Sequence, residues 1–183
     1  MRRRKATGVE RSLPNTQTVL DWVKGSRTAV VFDSDRDGME RSSFVASVVG
    51  RSNVMLVVFD DAGNVFGAFA KSLVKRAGKW VKDKGWFVCS FASRGVPVQP
   101  QRWARKRDDV TDPKRAFLLN DDPASGNWVS VGDFPCGIRI GSHNWNHCRS
   151  LSLLFDGIGD LTLSGNTFPT PFVLRRLIVV CCE

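Results

Sequence analysis

Hydrophobic positions in this chain fall mainly in short runs separated by turn residues. The run Val54 to Phe59 is too short for a helix and rich in β-branched side chains, which predicts a central strand covered on both faces. Asp60 to Asn64 supply a turn, with Gly63 free to take a positive φ. Val65-Phe66-Gly67-Ala68-Phe69 returns, with Phe66 and Ala68 on one face and Val65 and Phe69 on the other. Gly67 leaves no side chain in mid-strand, so a neighbouring backbone or ring is expected close to it.

Further strands are predicted at Ala29 to Phe32, Trp86 to Phe91, Arg115 to Leu119, Trp128 to Val131, Ile138 to Ile140, Leu151 to Phe155 and Phe172 to Val180. Two stretches have helical spacing instead. Pro14 to Lys24 places Val19, Trp22 and Val23 on one face before Gly25, and Met39 to Gly50 places Phe44, Val45, Val48 and Val49 on another. Lys71 to Lys84 reads as a basic connection, and Ser93 to Pro113, with Pro97, Pro100 and Pro113, as an irregular excursion. Many short strands with few helices argue a mainly β fold, a sandwich with peripheral helices. Residues 1–12 read as a disordered basic tail and 13–183 as one domain.

The acidic turn Asp33-Ser34-Asp35-Arg36-Asp37-Gly38 matches the first half of a calcium-binding loop. That loop needs a bidentate Glu at its twelfth position, where Phe44 stands, and an apolar eighth residue, where Glu40 stands. A helix cap accounts for the same residues. Asp37 would accept amide hydrogens of the following helix, and Glu40 would complete a capping box.

Charge adds one strong signal. The net charge is +9 over 183 residues, and residues 71–107 alone hold eleven Lys and Arg against the single Asp83. Lys71, Lys75, Arg76, Lys79, Lys82 and Lys84 are interleaved with Trp80, Trp86 and Phe87, while Arg102, Arg105, Lys106 and Arg107 surround Trp103. Such a segment suits an acidic protein partner, anionic lipid headgroups, or single-stranded nucleic acid stacked on the aromatic rings. Arg2-Arg3-Arg4-Lys5 fits a nuclear-import or nucleic-acid patch as well as a solvated tail.

Catalytic chemistry has no positive signal. Cys136, His143, His147 and Cys148 are zinc-capable side chains, but no Cys-x-x-Cys pair anchors them and two are adjacent, so no metal site is assigned. The same residues are the candidates for a Cys–His enzyme. No phosphate-cradling loop or nucleophile elbow is present, and no cofactor is implied. Five cysteines with the vicinal pair Cys181-Cys182 do not form a secreted disulfide framework, so the expected home is the cytosol. That pair is a candidate oxidant sensor, with one thiol buried and one exposed expected at a strand end. The best candidate membrane span, Phe172 to Cys182, is interrupted by Arg175-Arg176, so an integral membrane protein is not expected.

The order of Asp35-Arg36-Asp37-Gly38, a short helix, an apolar strand and Gly63-Asn64-Val65-Phe66-Gly67-Ala68-Phe69 resembles a TLDc domain, the module of the oxidation-resistance proteins. The similarity runs roughly from Trp22 to Cys182, and Asp37, Gly38, Gly63, Val65, Phe66 and Gly67 are the positions that carry it. The resemblance implies two antiparallel sheets packed as a sandwich, no catalytic centre, and a role in resistance to oxidative stress. For several members it implies regulation of the vacuolar proton-pumping ATPase through its cytosolic sector. Val131 to Ile138 and Gly141 to Cys148 match the family pattern only loosely. Docking on an acidic partner is therefore the expected function, with Lys71, Lys75, Arg76, Lys79, Lys82, Lys84, Arg102, Arg105 and Arg107 as partner-binding residues. A nucleic-acid-binding module using the same segment is the alternative.

Overall fold

Strand β2, Val54–Asp60, is buried along both faces, and the rest of the protein is layered about it. The computed structural model describes residues 16–107, 112–133, 136–142 and 146–183. Val54, Leu56 and Val58 enter the main core, whereas Met55 and Val57 enter a second cluster on the opposite face. Helix α1, Thr16–Val23, covers that second cluster with Val19 and with Trp22, whose ring lies 5.9 Å from Phe91. An apolar strand without alternation is the expected result of burial on two faces.

The larger sheet contains β1 (Thr28–Asp33), β2, β3 (Val65–Ala70), β4 (Phe87–Ser93), β5 (Val96–Ala104) and β10 (Leu174–Cys182), in the order β1-β10-β2-β3-β4-β5. The smaller holds β6 (Phe117–Leu119), β7 (Asn127–Val131), β8 (Gly137–Gly141) and β9 (His147–Arg149), in sequential order. All pairings are antiparallel. Val129, Val131, Ile138, Ile140 and Cys148 of the smaller sheet meet Leu56, Phe66 and Val88 of the larger in one core. This is the two-sheet β-sandwich with peripheral helices that the sequence predicts.

Several local expectations are corrected. The acidic turn folds as α2, Ser34–Asp37, and its cap is Asp33, which accepts from the Asp35 amide. Asp37 turns back to accept from the Asp33 amide at 2.9 Å. Helix α3 begins later, at Arg41–Val48, with Glu40 at its N-cap and no side-chain cap bond, so there is no capping box. Packing of Phe44 and Val48 into the core holds α3 in place instead.

The excursion after Ser93 is largely β5, joined to β4 by Arg94 and Gly95, both with positive φ. That two-residue reversal matches the twist of the flanking strands. Pro97 and Pro100 are tolerated because β5 is an edge strand. Its last residues are covered: the Asp156 amide donates to Ala104 and the Lys106 amide to Leu154. Leu151–Leu154 is a short helix, α4, rather than a strand, with Leu151 and Leu154 buried and Ser152 and Leu153 exposed. Cys181 and Cys182 are both buried, because β10 is covered on both faces as β2 is.

Candidate functional site

The glycine-rich hairpin that carries the family resemblance is a structural junction. Gly63 takes φ +82°, and a Cβ there would stand 2.5 Å from the Gly95 amide nitrogen. The tip of the β2–β3 hairpin thus rests against the tip of β4–β5. Asn64, 3% exposed, completes the junction. Its amide group donates to Asp60 at 2.8 Å and to the Ser164 carbonyl at 3.0 Å, and its Oδ1 accepts from the Arg94 amide at 3.0 Å. A turn Asn between an Asp and an apolar strand is suited to such side-chain–backbone bonding, but the sequence does not show that its partners are Ser164 and Arg94. Phe66 is buried edge-on to Phe172, and Val65 is half-buried on the opposite face. Gly38 meets the need for φ +80° after α2.

The acidic turn is neutralised internally. Arg176 holds both oxygens of Asp33, at 2.9 and 2.5 Å, and lies 3.3 Å from Asp35. Arg36 holds Asp37. These hydrogen bonds keep the Asp33 carboxyl below its ordinary range and bring Asp37 down to about 2. Among the described residues no group of three or more His, Cys, Asp or Glu side chains could hold a metal. His143 lies outside the described residues.

The basic segment separates into two parts. Residues 84–87 and 102–107 meet in a groove of about 840 Å³, lined by Lys84, Gly85, Trp86, Phe87, Arg102, Ala104, Arg105, Lys106 and Arg107. Arg105 ties its walls together, donating from Nε to the Lys84 carbonyl and from Nη1 to the Lys106 carbonyl, each at 3.0 Å. Arg102 donates to the Trp22 carbonyl at 2.9 Å and lies over the Phe87 ring. Lys71, Lys75, Arg76, Lys79 and Lys82 are exposed but lie outside the groove lining, on the connection between β3 and β4. That connection is fastened to the turn before β2 and to β6: the Val74 amide donates to the Arg51 carbonyl, Gly78 to Leu119 and Val81 to Phe117.

Asp83 decides the electrostatics of this region. It is 4% exposed and accepts from the Lys71 amide at 2.5 Å, the Ser72 amide at 3.0 Å and the Gly85 amide at 2.7 Å. The one carboxylate of the basic segment is thus spent on the backbone. Among the described residues, Lys71, Lys75, Arg76, Lys79 and Lys82 form no ion pair. The aromatic residues lie mostly inward. Trp86 is buried against Phe155, Phe87 is buried, and Trp103 packs partly on the core. Trp80 is half-buried.

The protein combines a two-sheet sandwich, a Gly-x-Val-Phe-Gly hairpin and a basic flank. The chain matches the TLDc domain over residues 5–151 and belongs to that family. No curated protein matches the chain. Strand β10 lies beyond the matched residues, yet it occupies the place between β1 and β2. Among the described residues no helix is long and apolar enough to cross a membrane.

Proposed function

We propose that this TLDc domain is a non-catalytic protein-interaction module that docks on an acidic partner through its basic flank. The observation that carries the reading is that Asp83 is withdrawn into backbone bonds while Lys71, Lys75, Arg76, Lys79 and Lys82 stand exposed with no ion pair among the described residues. Lys84, Arg102, Arg105 and Arg107 form the groove, and Lys71, Lys75, Arg76, Lys79 and Lys82 extend the positive surface beside it. Such a surface steers an acidic protein into register. Resistance to oxidative stress and regulation of the vacuolar proton-pumping ATPase, through its cytosolic sector, are the cellular roles we propose, with the cytosol as location. Burial of Trp86 and Phe87 weighs against the nucleic-acid alternative, because it removes rings on which bases would stack.

Recovery of partners from nuclease-treated cytosol tests the proposal. Lys84→Glu with Arg107→Glu should abolish recovery of an acidic protein, and Lys75→Glu with Arg76→Glu should reduce it. Unchanged recovery with both double variants would refute the proposal.

A further inference from the structure

Two guanidinium groups and an imidazole stand together on the outer face of the smaller sheet, with no carboxylate bound to them among the described residues. In the β8–β9 register Arg139 stands opposite His147, and Gly137 opposite Arg149. Ile138 and Cys148 of the same strands enter the core, so Arg139, His147 and Arg149 share the other face. Arg139 is 6% exposed. Its Nη1 donates to the Ile138 carbonyl at 3.0 Å and reaches the Val131 carbonyl at 3.5 Å, and no ion pair engages it among the described residues.

Asp133 is the carboxylate whose charge reaches Arg139, but its Oδ1 is held by Arg115 at 2.8 Å. Burial brings the Arg139 guanidinium down to about 10. Burial, then Arg139 and Arg149, hold His147 below its ordinary value. Phe168 flanks the row, its ring centre 5.3 Å from that of His147 and 4.4 Å from the Arg149 guanidinium carbon. A buried cation without a direct ion pair is costly, and an anion drawn to this face would lower that cost.

We propose that Arg139, His147 and Arg149 form a binding site for a phosphate group, free or carried on a small ester. Two guanidinium groups offer forked donors matched to the oxygens of a phosphate, and the imidazole supplies a further donor. The bound dianion stabilises the imidazolium, so phosphate binding and protonation of His147 reinforce each other. This site is separate from the groove of the proposed docking function, whose lining contains none of the three residues.

Proton NMR of the His147 ring in the full chain reads the site directly. Titrations are run in inorganic phosphate, in glycerophosphate, and in chloride of matched ionic strength. Phosphate should raise the His147 pKa saturably, by about half a unit or more, while chloride should not. The rise should vanish in Arg139→Gln and in the more accessible Arg149→Gln, and persist in Lys84→Gln with Arg107→Gln. An equal response to glycerophosphate assigns the site to the phosphate group itself. A response confined to inorganic phosphate assigns it to the free ion. A wild-type response equal in chloride and phosphate, or one that survives Arg149→Gln, would overturn the proposal.

Discussion

The carbonyl oxygen of Leu56 stands 2.2 Å from the place a Cβ on Gly67 would occupy. Gly67 and Val57 are register partners in the β2–β3 pairing, so two backbones approach here more closely than any side chain allows. Gly67→Val raises strand propensity yet forces the central strands apart. We expect it to destabilise the fold by about 1–3 kcal/mol in urea unfolding, against its propensity gain. A variant that melts at or above the parent temperature would show that the approach relaxes freely.

The Asp33–Arg176 pair ties the end of β1 to β10, with both side chains largely buried. Arg176 lowers the Asp33 pKa in the folded state, so the contribution of the pair is complete above the unfolded value, about 4. It is lost as pH falls through the depressed folded value. Arg176→Gln should cost about 1–3 kcal/mol at neutral pH through loss of two charge-assisted bonds. It should also flatten the acid limb of the stability profile. Because Arg176 and Arg36 already occupy these carboxylates, millimolar calcium should leave the melting temperature unchanged. A large calcium-dependent rise abolished by Asp33→Ala would reverse this reading.

The central architecture was legible in the sequence because it rests on patterns that burial imposes directly. Val54 to Phe59 has no polar position, which only a doubly covered strand explains, and the spacing of Phe66 and Ala68 against Val65 and Phe69 gives the two faces of the return strand. The features that were missed depend on partners distant in sequence. Val96 to Ala104 contains two prolines and is a strand because an edge position excuses them. Asp37 carries the local signature of a cap, but its carboxylate is claimed by Arg36 and the Asp33 amide. At the basic flank the sequence marked the cations, whereas the role of Asp83 required knowing that Lys71, Ser72 and Gly85 turn their amides toward it.

The thiols should differ sharply in reactivity. Burial pushes Cys89 up, Cys148 to about 12 and Cys182 to about 11, and it also raises Cys181. Cys136 is half-buried at the start of the β8 hairpin arm. Because Cys136 alone of the five is not buried, a disulfide reagent near pH 7.5 should label it well before the others in the native protein. The remaining four should react only on unfolding. Rapid labelling of Cys181 or Cys182 would instead support a vicinal oxidant sensor at the end of β10.

A docking face and a nucleic-acid groove use the same cations differently, and the position of the aromatic rings separates them. Each cation that neutralises a phosphate releases a condensed counterion, so oligonucleotide affinity falls steeply with salt. Stacking adds affinity only where a ring is open to a base. Here Trp86 and Phe87 are buried and Trp103 packs partly on the core, which leaves electrostatic attraction as the main term. Single-stranded oligonucleotides should therefore bind weakly and without sequence preference at low salt, and release near physiological ionic strength without quenching tryptophan fluorescence. An acidic protein partner should persist at that salt, because buried anchors rather than rim charges set its lifetime. Sub-micromolar oligonucleotide binding at physiological salt, with the fluorescence of Trp103 quenched, would replace the docking function with nucleic-acid recognition.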